Sequence, residues 1–369
     1  MFEGRIARFD APEQPFAIQE VSLAGRGILP GEILIRVTRA NVCGSDLHAW
    51  HGNFDTRGLG GKLPTVLGHE MVGRVAALGE GTGRDTDGKP LEPGTRVVFP
   101  YFFSCHVCRY CVSGRSAGCT RLRMAMLTSA AEPPYYVGAF GDYFVLPPGA
   151  LLYTVPDTLS DEVVSGANCA LSQVMYSLDR AQLGFGETVV VQGAGGLGLY
   201  ATALAKARGA RTVIVLDAVA ERLELAREMG ADATVDITAQ TDARSRIKKI
   251  QALTDGGADV VVELVGSPAV VDEGIRMLGR FGRYLSVGNI SAKRTYEADP
   301  SRLTMTNKSV IGVSLYEPSA LGKSLAFLEA VCDRLPKRFT ESTVFPLDAI
   351  NEAFRAADHR DVVRAAIVP

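Results

Sequence analysis

The sequence has little excess charge of either sign, no long uninterrupted hydrophobic run and no internal repeat. Its 369 residues include 39 Lys and Arg and 41 Asp and Glu, which leaves a net charge of −2. This balance argues against nucleic acid or an anionic membrane as the main partner. The N-terminal residues contain an early acid and no apolar core, so we expect no secretory signal. The most apolar stretch, 188–205, is interrupted by Gln192 and several glycines, and it predicts a strand, a turn and a helix rather than a membrane span.

The remaining composition is typical of a folded globular protein. Hydrophobic residues make up 47% of the chain and charged residues 22%, and the length suits two domains of ordinary size. The seven cysteines occur without an export signal. We therefore expect a reducing, cytoplasmic location in which the cysteines bind metal instead of forming disulfides.

Four cysteines lie close together in the stretch 105–119, at Cys105, Cys108, Cys111 and Cys119. Four thiolates at this spacing can form a tetrahedral shell around one zinc ion. Disulfides are a poor alternative, because two cysteines separated by only two residues rarely reach disulfide geometry without strain. A redox pair would need two cysteines at the start of a helix. The spacing therefore predicts a zinc site.

The pattern of predicted strands and helices changes along the chain. Roughly the first 155 residues contain short β-type runs such as 32–38, 72–76 and 95–99, which predict antiparallel strands in a small barrel. From about residue 188, buried strands (188–192, 212–217, 259–263 and 283–287) alternate with helices (198–208 and 220–229). This alternation predicts a parallel sheet covered on both faces. After about residue 313 the regular alternation of strands and helices ends and a mixed pattern returns. This favours a discontinuous first domain with an inserted second one.

A glycine-rich turn follows the first strand of this second region. Gly193, Gly195 and Gly198 have the spacing that brings backbone close to a pyrophosphate at a helix N-terminus, and Gly196 and Leu197 lie between them. Asp217 ends the next strand and can accept hydrogen bonds from ribose hydroxyls while repelling the 2′-phosphate of NADP. The pattern therefore predicts NAD as the cofactor. Arg222 could reach the same ribose, or it could be a solvated helix charge.

A second set of metal-type and acid–base side chains lies outside the cysteine cluster. It comprises a turn-rich stretch with Cys43, Ser45, Asp46 and His48, the pair His69 and Glu70, and Cys169 before the second region. Two cysteines, one histidine and an open position would make a zinc site suited to catalysis. Ser45 could instead simply cap a helix. Composition alone does not show that these ligands converge.

The chain resembles the zinc-dependent medium-chain alcohol dehydrogenases over essentially its whole length. The motifs CGSDLH, GHE, CxxCxxCx7C and GAGGLG occur in the family's order. The resemblance implies that Cys43, His69 and Cys169 bind a catalytic zinc, with Glu70 beside it, and that the four clustered cysteines bind a structural zinc. It also implies a proton relay through Ser45 and His48, and an arginine, Arg364, that contacts the pyrophosphate.

The same resemblance implies an α/β protein with two domains. A GroES-like, barrel-type catalytic domain would comprise residues 1–170 and 314–369, and a doubly wound Rossmann domain would comprise residues 171–313. The implied reaction is reversible hydride transfer from a zinc-bound alkoxide to NAD, giving an aldehyde or ketone. Polyol-type relatives often have glutamate at the position of Cys169, so the cysteine favours a simple alcohol dehydrogenase. A homodimer or homotetramer is expected, with the tetramer favoured.

Two alternatives stay open from sequence alone. One is a zinc-free quinone or enoyl reduction on the same fold, which the complete ligand set disfavours. The other is a non-catalytic NAD-binding protein that keeps zinc for stability. The segment 124–137 matches no family pattern and could shape substrate specificity or form a surface loop. The identity of the alcohol is not encoded in any motif.

Overall fold

The computed structural model describes residues 2–53, 60–290 and 293–369. The chain forms two compact units. The first consists of Met1–Cys169 and Glu317–Pro369, and the second of Ala170–Tyr316. The second unit is thus inserted into the first, and each has its own hydrophobic core.

The first unit is built mainly from short antiparallel strands. Its strands are β1 (Glu3–Phe9), β2 (Ala17–Ser22), β3 (Ile33–Asn41), β4 (Thr65–Val66), β5 (Glu70–Leu78), β6 (Arg96–Val98), β7 (Phe102–Phe103), β8 (Arg123–Met124), β9 (Tyr143–Leu146), β10 (Tyr153–Thr154), β17 (Thr343–Pro346) and β18 (Ala365–Val368). Its helices are α1 (Gly44–Trp50), α2 (Arg109–Val112), α3 (Asp161–Val164), α10 (Ser319–Val331), α11 (Lys337–Thr340) and α12 (Ile350–His359).

The main sheet of this unit has the order β10–β6–β5–β3–β18–β17, and β9 also pairs with β3. Strand β3 is central, because it pairs antiparallel with β5, β9 and β18. Strand β18 comes from the C-terminal part of the chain, so the unit closes only when the returning segment is in place. The end of β3 and the start of β5 meet at Asn41 and Glu70, which are register partners.

The second unit is a parallel sheet with helices. Its strands are β11 (Thr188–Gln192), β12 (Thr212–Asp217), β13 (Ala233–Asp236), β14 (Ala258–Glu263), β15 (Leu278–Ser286) and β16 (Ser309–Gly312). Its helices are α4 (Ser172–Arg180), α5 (Gly196–Ala207), α6 (Ala220–Glu228), α7 (Ala243–Leu253), α8 (Val271–Met277) and α9 (Ser301–Thr304). The strand order is β13–β12–β11–β14–β15–β16, and every pair is parallel. The order reverses at β11, as in the doubly wound dinucleotide-binding fold. The α/β fold class predicted from the sequence is confirmed.

The segment 124–137 is part of the core of the first unit and is not merely a surface loop. Met126, Tyr136 and Val137 are buried in it. The Tyr136 hydroxyl donates to the carbonyl oxygen of Val21 at 3.1 Å. In the described ranges, no helix combines the length and the apolar character needed to cross a membrane.

Candidate active site

The first part of the site is the turn that carries Cys43 between β3 and α1. Cys43 is the N-cap of α1, with extended backbone at φ −87° and ψ 155°. The Asp46 carboxylate, at the third helical position, accepts a hydrogen bond from the Cys43 N–H at 3.0 Å. Asp46 is thus the acidic residue of a capping box, so local hydrogen bonding fixes the start of the helix. Ser45 lies within the first turn and is not the cap.

His69 is held by a buried carboxylate from that same turn. Its Nδ1 lies 3.1 Å from Asp46 Oδ1, and both side chains are buried. The ring also packs against Tyr101, with ring centroids 4.8 Å apart. A carboxylate on Nδ1 fixes the tautomer that leaves Nε2 available as a metal ligand. The preceding residue, Gly68, has φ +87°, and a Cβ there would meet two neighbouring side chains at 3.0 Å, so glycine is required.

Cys169 enters the site from the end of the first unit's N-terminal segment. It lies in a π-helical turn before α4, next to the fully buried Asn168. The Asn168 amide donates to the carbonyl oxygens of His69 and Phe99, each at 2.9 Å, and accepts from the Met71 N–H at 3.4 Å. These bonds tie the turn of Cys169 to the backbone that carries His69.

The three predicted catalytic ligands converge. The ligand atoms of Cys43, His69 and Cys169 all lie within 4.8 Å of one another. The Ser45 hydroxyl lies 3.3 Å from His69 Nε2 and 3.5 Å from Cys43 Sγ. A hydrogen bond with Cys169 and the charge of His69 lower the pKa of Cys43 well below that of an ordinary thiol. Two sulfurs and one imidazole nitrogen fit zinc with a fourth position left for a substrate.

Glu70 is a buried carboxyl beside these ligands. Burial, followed by the charge of Cys43, raises the pKa of Glu70 to about 8, and the nearby Arg364 acts in the opposite direction. Asn41 donates to Glu70 Oε2 at 3.3 Å. The guanidinium of Arg364 lies over the Phe339 ring, 5.2 Å from its centroid. The structure therefore brings both Glu70 and Arg364 into the electrostatic surroundings of the site.

His48 lies one turn beyond Ser45 on α1 and is exposed. Residues three apart share a helix face. Ser45 is thus at the ligands and His48 is on the solvent side of the same face. The sequence alone assigns no role to Asp46, Asn41 or Asn168. The only local signal was polar side chains next to metal-type residues.

The four clustered cysteines also converge. Their sulfurs lie within 4.8 Å of one another, with Cys108 Sγ 3.5 Å from Cys111 Sγ and 3.9 Å from Cys119 Sγ. The N–H groups of Cys105 and Arg121 point at Cys119 Sγ, at 3.3 and 3.4 Å. Backbone N–H groups lower the pKa of Cys108 to about 5. Four sulfurs with hydrogen-bonded support fit a closed, tetrahedral zinc site.

Glu317, from the C-terminal segment of the first unit, supports the four-cysteine lobe (residues 105–119). Its two carboxylate oxygens accept hydrogen bonds from Ser116 N at 2.8 Å and Ala117 N at 3.0 Å. These N–H groups begin the 3₁₀ turn Ser116–Gly118, just before Cys119. Glu317 is the first residue of the chain after the second unit.

The glycine-rich turn lies between β11 and α5 in the second unit. The Gly193 N–H donates to the carbonyl oxygen of Leu216 at 2.8 Å. A Cβ on Gly198 would overlap the carbonyl oxygen of Gly193, so only glycine allows this approach. Apart from chain neighbours and the backbone of α5 itself, no atom of the described residues lies within 4 Å of a Cβ built on Gly195 or Gly196. Open backbone at the start of a twelve-residue helix fits a diphosphate.

Asp217 is buried at the end of β12, where it also holds this turn in place. Its Oδ2 accepts from the Ala194 N–H at 2.7 Å, and its Oδ1 accepts from the Val219 N–H at 2.9 Å. Each carboxylate oxygen has further acceptor capacity for a ribose hydroxyl. Arg222 is half-buried in the first turn of α6, and Leu197 is half-buried in the first turn of α5.

Two family models and several known proteins match this chain. The family model described as zinc-binding dehydrogenase matches residues 196–330, and the alcohol dehydrogenase GroES-like domain matches residues 29–157. A 5-exo-hydroxycamphor dehydrogenase from Pseudomonas putida is 32% identical over 92% of each chain. An alcohol dehydrogenase structure from Thermotoga maritima superposes with a TM-score of 0.93 at 28% identity, covering 100% of both chains. A protein from Sinorhizobium meliloti, described as a putative zinc-binding dehydrogenase bound to NADP, has a TM-score of 0.84 at 25% identity and covers 100% of both chains.

Proposed function

The chain belongs to the zinc-dependent alcohol dehydrogenases of the medium-chain dehydrogenase/reductase family, and we propose that it reversibly oxidises a primary or secondary alcohol to an aldehyde or ketone with NAD. The observation that carries this proposal is the convergence of Cys43, His69 and Cys169 within 4.8 Å. A protein that kept zinc for stability alone would need only the four-cysteine lobe. The second set has three ligands, which leaves a position open for the substrate.

Zinc in this site would supply a Lewis acid that lowers the pKa of an alcohol hydroxyl. The chain's own residues would prepare the site and move the proton. Asp46 orients His69 through Nδ1. The Ser45 hydroxyl, which lies at the ligand atoms, is placed to accept the alcohol's proton, and His48 is placed to release it to solvent. Glu70 is a buried carboxyl beside these ligands, held by Asn41.

NAD is the cofactor that the glycine-rich turn and Asp217 favour. The carboxylate at the end of β12 would bind ribose hydroxyls and repel a 2′-phosphate. The Sinorhizobium meliloti relative is bound to NADP, so similarity to it does not by itself favour NAD. Here the buried Asp217 supports NAD, and we expect the diphosphate at Gly195 and Gly196, with Arg222 as a further candidate contact.

The substrate class we favour includes secondary alcohols on carbon rings. The Pseudomonas putida relative is named for 5-exo-hydroxycamphor, and it covers nearly the whole chain. Cys169 stands where polyol-type relatives often have glutamate, which favours simple alcohols over polyols.

The test is NADH formation with a panel of primary, secondary and cyclic alcohols, including 5-exo-hydroxycamphor, with zinc measured on the same sample. We expect two zinc ions per chain and turnover with at least one alcohol. The Cys43→Ser variant should lose one zinc and its turnover while NAD binding persists. Cys332→Ser is the matched control, because Cys332 lies outside both cysteine clusters found in the described residues.

Full turnover in Cys43→Ser would refute the catalytic assignment. Two zinc ions with NAD binding and no turnover on any alcohol would favour the non-catalytic alternative. Turnover without zinc would favour zinc-free reduction chemistry.

A further inference from the structure

Asn41 is a fully buried amide next to the proposed catalytic site, and neither the motifs nor the mechanism uses it. It ends β3 and lies directly opposite Glu70 in the antiparallel register with β5. Its Nδ2 lies 3.3 Å from Glu70 Oε2 and 3.0 Å from Ser165 Oγ. The contact with Glu70 is thus set by strand pairing.

The hydrogen-bond partners determine which way the amide faces. The Ser165 hydroxyl donates to the carbonyl oxygen of Glu162 at 3.1 Å, so its oxygen is free to accept from Asn41. Both N–H groups of Nδ2 are then used, one on Ser165 and one on Glu70. Within the described part of the chain, Asn41 Oδ1 is buried without a partner, so the amide side chain serves as a donor alone.

The group that Asn41 holds is one that could compete for the metal. Glu70 directly follows His69, and the charges of both His69 and Cys43 act on it. Carboxylate oxygen is a normal zinc ligand. A carboxylate free to turn could therefore occupy the position that the substrate needs, or displace a ligand and promote metal loss.

We propose that Asn41 is a positioning residue that restrains Glu70 through the Nδ2–Oε2 hydrogen bond and thereby limits its access to the metal held by Cys43, His69 and Cys169. This inference rests on the proposed function, because it requires a metal at that site. The backbone of Asn41 pairs with Glu70 and Ala366 independently of the side chain. Replacing the side chain therefore leaves the strand connections in place.

The experiment measures the rate at which zinc passes from the folded protein to a coloured chelator. Cys43→Ser assigns the phase that belongs to the catalytic site, and the four-cysteine zinc serves as an internal control in every sample. We expect Asn41→Ala, and the nearly isosteric Asn41→Leu, to release the catalytic-site zinc about tenfold faster, the factor for loss of a typical hydrogen bond. The other phase should not change.

The decisive comparison repeats Asn41→Ala in a Glu70→Gln background, where no carboxylate can compete for zinc. If Asn41 acts through Glu70, the second substitution should remove the acceleration. Equal acceleration in both backgrounds would show a merely structural role and overturn the proposal, as would unchanged release in both Asn41 variants. A wild-type protein with only the four-cysteine zinc would overturn the proposed function and this inference together. Two zinc ions with unchanged release would overturn the inference alone.

Discussion

Asp217 holds the glycine-rich turn in this structure and is proposed to bind the ribose, so replacing it should change both stability and cofactor preference. In Asp217→Ala, the buried Ala194 N–H loses its acceptor, which costs about 1–3 kcal/mol. The Val219 N–H is only half-buried and can turn to water, so its loss costs at most about 1 kcal/mol. We therefore expect the free energy of unfolding of the second unit to fall by about 1–4 kcal/mol.

Asp217→Asn separates the two tasks, because an amide keeps one acceptor oxygen and loses the charge. It should recover about half of the lost stability. Both variants should gain activity with NADP relative to NAD by at least about tenfold, because like charges about 4 Å apart near a protein surface repel by about 4 kcal/mol.

The assays are denaturant unfolding, which gives the free energy, and the ratio of kcat/KM for NADP and NAD. A stability loss equal in both variants would contradict the acceptor role of the side chain. An unchanged cofactor ratio in both would refute the assignment of Asp217 to the ribose.

Three further predictions concern the metal sites and the glycine-rich turn. Cys111→Ser should lose one zinc and lower the melting temperature, because a structural zinc contributes folding free energy directly; unchanged values of both would contradict the lobe assignment. Asp46→Asn should weaken zinc binding at His69 about 10- to 100-fold, measured by chelator competition, and a wild-type affinity would show that the carboxylate does not matter. Gly198→Ala should weaken NAD binding in a fluorescence titration, because its Cβ would overlap backbone, whereas Gly312→Ala, with open space around it, should not; equal effects would refute the close-approach argument.

The parts of the fold that local patterns encode could be predicted from the sequence. Strands β11 and β12 have the predicted bounds, because continuous apolar runs ended by a glycine turn and an acid leave few alternatives. The pairing of β3 with β18 could not be predicted. It joins segments far apart in the chain, and nothing in either strand specifies its partner.

The residues of the candidate site also differ in how far the sequence predicts them. The four-cysteine ligands were evident from their spacing, and the resemblance of short motifs to the family indicated Cys43, His69 and Cys169. The residues that hold them were not evident. Asp46 reaches His69, and Asn168 reaches the same backbone, only through tertiary contacts. A buried amide such as Asn41 has no distinguishing pattern, since its role depends on the strand that happens to lie opposite.

The insertion of the second unit makes the protein modular for engineering. The boundary falls between Cys169 and Ala170 and between Tyr316 and Glu317. A chimera joined at these two points would take all seven proposed metal-ligand side chains, together with Glu317, from one parent. The glycine-rich turn and Asp217 would belong to the exchanged second unit. Exchange of this unit with that of a relative of different cofactor preference should therefore transfer the carboxylate proposed to bind the ribose. Cys169 is the proposed ligand most exposed to such an exchange, because its turn, Ala167–Leu171, spans the first junction.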